Sequence, residues 1–305
     1  MKSRCADARK TLSKAAMSLA TAHPSRSQRA RLHPADGAAV AYALGESDAE
    51  AERLRVLDAV YGHSSRALLA STGLTAGWRC LDIGCGTGHI ALWLAERVAR
   101  TGHVTGVDRA ELFVNLARTN ARQRNLDHAH FIKADASAAA LPNASFDLVY
   151  SRCLLSHLSD PLAVLRRMTA LAKPGGIVVV EDIDCGGGFT HPESPAQMRH
   201  LDLYQAIVRH HGGDPLLGRK LPRLCRAAGL TEIHFEIVTP TEPALEVKRL
   251  YPLTLAGLKP AIIQAGLASA AEVDAIVAEL HALANAPEKT ASSCPLVQVR
   301  ARKAA

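Results

Sequence analysis

From Trp78 onward, short apolar runs alternate with longer stretches whose apolar residues recur every three or four positions. The runs are WRCLDIG (78–84), HVTGVD (103–108), HFIKAD (130–135), FDLVYS (146–151) and IVVVEDI (177–183). The last has no polar alternation, as expected of a strand covered on both faces. Between them, residues 89–100, 110–125 and 161–172 carry helical spacing, and the first and third of these stretches stop at Thr101-Gly102 and Pro174-Gly175-Gly176. Strand–helix alternation at this spacing predicts parallel βαβ units in a doubly wound α/β sheet.

The flanks read differently. Residues 42–71 have helical spacing, with Ser47 and Glu50 fitting a capping box at the start and Gly73 breaking the pattern. After Ile183 the pattern predicts helices at 194–211 and 221–230, a strand at 231–239, helical structure over 244–286, and a closing strand at 295–302. Within the helical stretch, LAGLKPAIIQAGLASA (255–270) is unusually apolar. A helical insertion therefore interrupts the sheet before its final strand. No internal repeat stands out.

Charge changes this picture only at the amino-terminal end. The formal charge of +7 on 305 residues is carried by residues 1–34, which hold eight Lys or Arg and one acid, so the remainder balances 28 bases against 28 acids. A neutral remainder with 4% aromatic residues argues against nucleic acid as partner. Residues 1–38 read as a basic, disordered leader. Its Arg, Ser and Ala content resembles a transit peptide, AAMSLATA imitates a signal peptide weakly, and Met17 offers an alternative start. The seven cysteines are scattered without a C-x-x-C pair, which reads as reduced thiols of a cytoplasmic protein, with neither a disulfide framework nor a metal site. No apolar run is long enough to span a membrane.

The candidate chemistry starts in LDIGCGTGHI (81–90), where Gly84, Gly86 and Gly88 follow a strand and open a helix. That is where open α/β sheets bind ligands. The spacing is G-x-G-x-G, with His89 where a dinucleotide fingerprint needs its third glycine, so the pyrophosphate template is not matched. Asp108 ends the next strand, where a carboxylate accepts both hydroxyls of a ribose, and Asp135 ends the third, within reach of an exocyclic amine. One glycine turn and two carboxylates describe a nucleoside pocket with no need for phosphate.

LDIGCGTG, VTGVD, IKADASAAALP, FDLVYSRCLLSHLSDP and LAKPGGIVVVEDID together resemble, in order and spacing, the motifs of class I S-adenosylmethionine-dependent methyltransferases. The resemblance covers about residues 75–240, with PLVQVRARK similar to that family's last strand. It implies a Rossmann-like, seven-stranded sheet whose last strand is antiparallel, and S-adenosyl-L-methionine as cofactor. It further implies that Asp82 and the turn Gly84, Cys85, Gly86, Gly88 hold the methionine end, with Asp82 tethering the loop as the other reading. Asp108 and Arg109 would lie at the ribose, Asp135 and Ala136 at the adenine, and Ser151 beside the cofactor. The flanks YALGESDAEAERL and LGRKLPRLCRAAGL look like the small-molecule branch, whose members modify quinones and secondary metabolites. Ser151-Arg152-Cys153-Leu154 stands where nucleobase methylases carry N/D-P-P-Y. Asp182 and Asp184 have no adjacent Asn to complete a catechol-type metal set, so no metal is expected.

The domain reading is a leader (1–38), an N-terminal helical lid (39–73), a cofactor-binding core (74–240), a helical lid insertion (241–289) and the final strand (290–305). His157 is the candidate base. Tyr42, Arg152, His157, Asp182, His191 and Tyr204 are candidate acceptor contacts. The expected activity is methyl transfer to a small hydrophobic metabolite, driven by positioning, with oxygen, nitrogen and carbon acceptors all open. A non-methylating cyclase using the same cofactor and a non-catalytic binding module are the alternatives. A homodimer is compatible with this reading.

Overall fold

The computed structural model describes residues 45–241 and 245–305; the leader, Met17 and Tyr42 lie outside the described residues. The apolar runs form β1 (Arg79–Ile83), β2 (His103–Asp108), β3 (Ala129–Lys133), β4 (Phe146–Arg152) and β5 (Ala172–Ile183). After a two-residue strand β6 (Thr190–His191) come β7 (Leu230–Val238), a second two-residue strand β8 (Thr290–Ala291) and β9 (Leu296–Lys303). The main sheet has the order β3-β2-β1-β4-β5-β9-β7, while β6 and β8 pair separately. Strands β1 to β5 pair in parallel, and β9 lies antiparallel between β5 and β7. This is the doubly wound, seven-stranded sheet with an antiparallel last strand that the motifs imply.

Eight α-helices occupy the described residues: α1 (Asp48–Ala70), α2 (His89–Val98), α3 (Glu111–Gln123), α4 (Pro161–Leu171), α5 (Pro195–His210), α6 (Leu221–Ala227), α7 (Leu245–Gln264) and α8 (Ala270–Ala284). Two boundaries differ from expectation. Strand β5 begins at Ala172, directly after α4 and before the Pro-Gly-Gly stop, and an irregularity between Phe146 and Leu148 in the facing ladder absorbs the change. At the start of α1, Ser47 accepts the Glu50 amide at 3.2 Å, but the Glu50 carboxylate pairs with Arg53 at 2.6 and 2.7 Å. Only half of the capping box forms, because a buried guanidinium outcompetes the exposed Ser47 amide.

Period-two geometry sorts the strand residues between two cores. Cys80, Leu148, Ile177 and Val179 pack under α2, α3 and the end of α1, whereas Leu81, Val149, Val178 and Val180 pack with α4 and α6. A third core lies off the sheet. Val56, Val60 and Tyr61 of α1 meet Leu203 and Ile207 of α5, Leu255 and Ile262 of α7, and Val273 and Leu280 of α8. The N-terminal and inserted helices are thus one packed cap with its own interior, joined by α5. No described helix is long and apolar enough to cross a membrane.

Gly106 tests how tightly β2 and β3 are fitted. A Cβ there would stand 2.5 Å from the Phe131 ring and 3.0 Å from the Cys85 sulfur. Gly106→Ala is expected to destabilise the fold by about 1–3 kcal/mol through overpacking. Urea unfolding should show a lower midpoint with an unchanged m-value.

Candidate functional site

The chain lays β1, β2 and β3 outward in one direction and then crosses back to place β4 on the other side of β1. The reversal makes the crevice at the carboxyl ends of β1 and β4 the expected ligand position. A cleft opens there, lined by the glycine turn, Asp82, Tyr150, Arg152 and, from α1, Leu54 and Leu57.

The turn requires glycine at all three places, with φ of 74°, 52° and 85° at Gly84, Gly86 and Gly88. The protein's own atoms crowd the last of them: a Cβ on Gly88 would meet Ala117 at 2.9 Å. Asp108 holds the loop, accepting the Gly86 amide at 2.8 Å on one carboxylate oxygen and the Ala110 amide at 3.0 Å on the other. Each oxygen keeps capacity for one more donor. Asp108 thus tethers the turn, and Asp82, which accepts a hydrogen bond from the Ala91 amide of α2, stands in the cleft wall.

Burial pushes the Asp82 carboxyl up to about 7, against the pull of Arg152 and with help from Asp108. A carboxyl in that state gains from any cation that enters the cleft. Burial, Asp82 and Asp108 hold the Cys85 thiol well above its usual range, so it stays protonated and carries no nucleophile role. Asp135 lies exposed beyond β3, where the Ser137 hydroxyl and amide hold its carboxyl below the usual range. Ala136 is half-buried beside it, and Arg109 is exposed beyond β2. Among the described residues, the buried hydroxyls of Thr87 and Ser151 have no hydrogen-bond partner, whereas the Tyr150 hydroxyl faces Ser65 and Glu181. Thr87 and Tyr150 line the cleft.

The strand register explains the polar floor beneath α1. Asp82 pairs with Tyr150 across β1 and β4, and Arg152 with Glu181 across β4 and β5. All four project to the α1 side, as every second residue must. Arg152 donates to Asp58 at 3.0 Å and to Ser65 at 3.1 Å, both on α1. Ser65 in turn donates to Glu181 at 2.6 Å, and Arg66 donates to Asp58 at 2.5 Å. Burial disfavours the Arg152 charge, but Tyr150, Asp58 and Glu181 outweigh it and raise its pKa. Burial raises the Glu181 carboxyl, with Arg152 and Ser65 pulling it down. Asp58 remains below the usual range because Arg152 and Arg66 overcome its burial.

Of the expected acceptor contacts, Arg152 is thus engaged by α1. Asp182 lies on the opposite face of β5, fully buried, where it accepts the Ser156 amide at 2.9 Å and so supports the turn that carries His157. Burial, then Arg53, Arg109 and His211, push the His157 imidazole down to about 4. Tyr204 is buried in the cap core, and His191 is exposed on the two-stranded ribbon. Asp82, the glycine turn, Tyr150 and Arg152 share the cleft, whereas Tyr204 and His191 belong to the cap and its edge.

Asp58, Ser65, Arg66 and Glu181 were not anticipated. Their sequence mark is a stripe on α1, Leu54, Asp58, Tyr61, Ser65 and Leu68, at alternating steps of four and three. Two polar residues inside a stripe that should be apolar point to buried polar partners. Among the described residues no group of three or more His, Cys, Asp or Glu is arranged to hold a metal ion.

Residues 74–229 match a family model described as a methyltransferase domain. Methyltransferase GfsG of Streptomyces halstedii is 30% identical over 181 residues, 55% of this chain and 64% of that one. The ubiquinone biosynthesis O-methyltransferase of Neisseria meningitidis is 31% identical over 185 residues, 57% of this chain and 68% of that one. The chain thus spans about two thirds of these curated relatives. Among solved structures, a putative methyltransferase from Bacillus halodurans superposes with a TM-score of 0.54 at 17% identity, over 79% of this chain and 100% of that one. Sheet order, glycine turn and a family match over half the sequence agree: the chain belongs to the class I S-adenosylmethionine-dependent methyltransferases, with S-adenosyl-L-methionine as cofactor.

Proposed function

We propose that the protein transfers a methyl group from S-adenosyl-L-methionine to a small hydrophobic metabolite held between the cleft and the helical cap. The observation that carries this reading is the division of the site. Its floor offers a raised carboxyl and an unpartnered hydroxyl, that of Thr87, while the cap above has an apolar interior. The floor fits the cofactor, whose sulfonium and amino groups are cationic. Asp82 would face the methionine end, Thr87 has hydrogen-bonding capacity to give, and Asp108 has capacity left for ribose hydroxyls. Asp135 and Ala136 would lie at the adenine. Ubiquinone and demethylmenaquinone methyltransferases among the relatives support a quinone-like or secondary-metabolite acceptor. In this reading residues 74–240 bind the cofactor, and 39–73 with 241–289 cover the acceptor, in the cytoplasm and without nucleic acid.

When bound, the cofactor supplies a methyl group already activated toward nucleophiles. The protein's part is to align the acceptor and exclude water, and positioning of this kind supplies about 7–11 kcal/mol of barrier lowering. Leu54 and Leu57 narrow the cleft from above, fixed there by the pairing of Asp58 with Arg152. His157, neutral at pH 7, orients groups by hydrogen bonding; a pKa of about 4 is mismatched to general-base work near neutrality.

Methyl-labelled cofactor incubated with phenolic and aliphatic acceptors is expected to deliver label into an organic-extractable product. A rearranged acceptor skeleton with label retained on the cofactor would overturn the proposal. A second test uses pH. Because the Asp82 carboxyl titrates near 7, cofactor affinity measured by calorimetry should fall as pH drops from 8 to 6, approaching about tenfold per unit below the pKa. Asp82→Asn should weaken binding about 10- to 100-fold, as loss of a charged hydrogen bond does, and flatten that dependence. Folding raises this pKa, so the native state takes up a proton and the ionised carboxyl costs stability as pH rises from about 4 to 7. The cofactor-free variant should therefore melt higher than the wild type at pH 8. His157→Asn should lower turnover less than about tenfold and leave the pH profile between 6 and 9 unchanged, whereas a loss of about 100- to 10,000-fold would mark a general base.

A further inference from the structure

The ladder between β5 and β9 continues past its last regular pair. Ile183 faces Leu296, and the Asp184 amide donates to the Pro295 carbonyl at 2.8 Å. Cys185 and Cys294 come next on the two sides, with Cys185 in the turn that the Gly187 amide closes on the Asp184 carbonyl. The Cys185 amide donates to Pro215 at 2.9 Å, its carbonyl accepts from the Gln205 side chain at 2.8 Å, and the Cys294 carbonyl accepts from the Tyr61 phenol at 2.7 Å. The two side chains meet, with a hydrogen bond between the Cys294 and Cys185 sulfurs. Both residues are free thiols, and the hydrogen bond from Cys294, followed by burial, lifts the Cys185 thiol well above its usual range. Cys185 is 3% exposed, whereas Cys294 is partly exposed and offers the entry point.

We propose that Cys185 and Cys294 form a redox-active dithiol site that low-molecular-weight disulfides, such as oxidised glutathione, convert reversibly into an intramolecular disulfide. The Cys294 thiolate attacks one sulfur of the glutathione disulfide, whose S–S bond breaks and releases one glutathione thiol. The Cys185 sulfur gives its proton to solvent, attacks Cys294 in the mixed disulfide and expels the second glutathione as a thiolate, which takes up a proton. Two electrons pass from the protein thiols to one glutathione disulfide, giving one protein disulfide and two glutathiones. The new bond clamps the end of β5 to the point where the chain returns from the cap. It encloses α5, α6, β7, α7 and α8 in one covalent loop.

The test equilibrates the full chain in glutathione buffers from fully reduced to fully oxidised, blocks the remaining thiols and maps peptides without reduction. The expected result is one linkage, Cys185 to Cys294, that rises with the oxidised fraction and disappears with dithiothreitol. The oxidised protein should melt several degrees higher, since a long covalent loop restricts the unfolded chain. Cys185→Ser and Cys294→Ser should each abolish linkage and shift, and Cys153→Ser and Cys225→Ser should preserve both. The proposal is overturned if both thiols remain free in oxidised glutathione, if Cys294 stops at a glutathione adduct, or if Cys153 captures either partner. The linkage map on the wild type decides the matter even where a variant fails to fold.

Discussion

Arg152 ties helix α1, and with it the cap, to the sheet. Its guanidinium lies between Asp58 of α1 and Glu181 of β5, with Ser65 bridging the two carboxylates' sides. Both members of the Asp58–Arg152 pair are about nine-tenths buried. Stranding a buried charge costs several kcal/mol, so α1 cannot slide or rotate without losing more than packing restores. The helix is thereby pinned while different stretches and faces of it do different work. Leu54 and Leu57 close the cleft, Val56 and Val60 enter the cap, and Leu68 and Leu69 lie against the sheet.

This arrangement separates the site into two kinds of surface. On the sheet side, parallel strands end in polar residues at matched heights, because register and period two put Asp82, Tyr150, Arg152 and Glu181 on one face. On the cap side, helices meet through aliphatic and aromatic side chains. The first surface opens into the cleft, the second is the packed interior of the cap, and α1 is the wall between them.

Most of the fold was legible because covered strands and amphipathic helices leave periodic traces. The glycine turn and Asp108 were legible as well, since a sharp turn after a strand and a carboxylate one strand further along are local features. The α1 contribution was not. Asp58 and Ser65 acquire meaning only when β4 delivers Arg152 beneath them, a long-range pairing that no local window contains. Asp182 misleads for the matching reason. It neighbours Glu181 in sequence but faces the other side of the sheet, where it braces a turn. The half-formed capping box at Ser47 shows the same competition, with Arg53 taking the carboxylate that a purely local reading assigns elsewhere.

The position of β9 has a consequence for the order of assembly. Among the strands of the described sheet it is synthesised last, yet it lies between β5 and β7. Until residues 296–303 leave the ribosome, both neighbours present open hydrogen-bonding edges, and Phe235 and Ile237 of β7 stay exposed even afterwards. The five parallel strands can form early from near-neighbour contacts, whereas β7 must wait for a partner some sixty residues further on, and loop closure of that length slows folding. A nascent chain halted before β9 thus carries one unpaired strand, β7, and an open sheet edge at β5, the kind of edge that recruits other chains into aggregates.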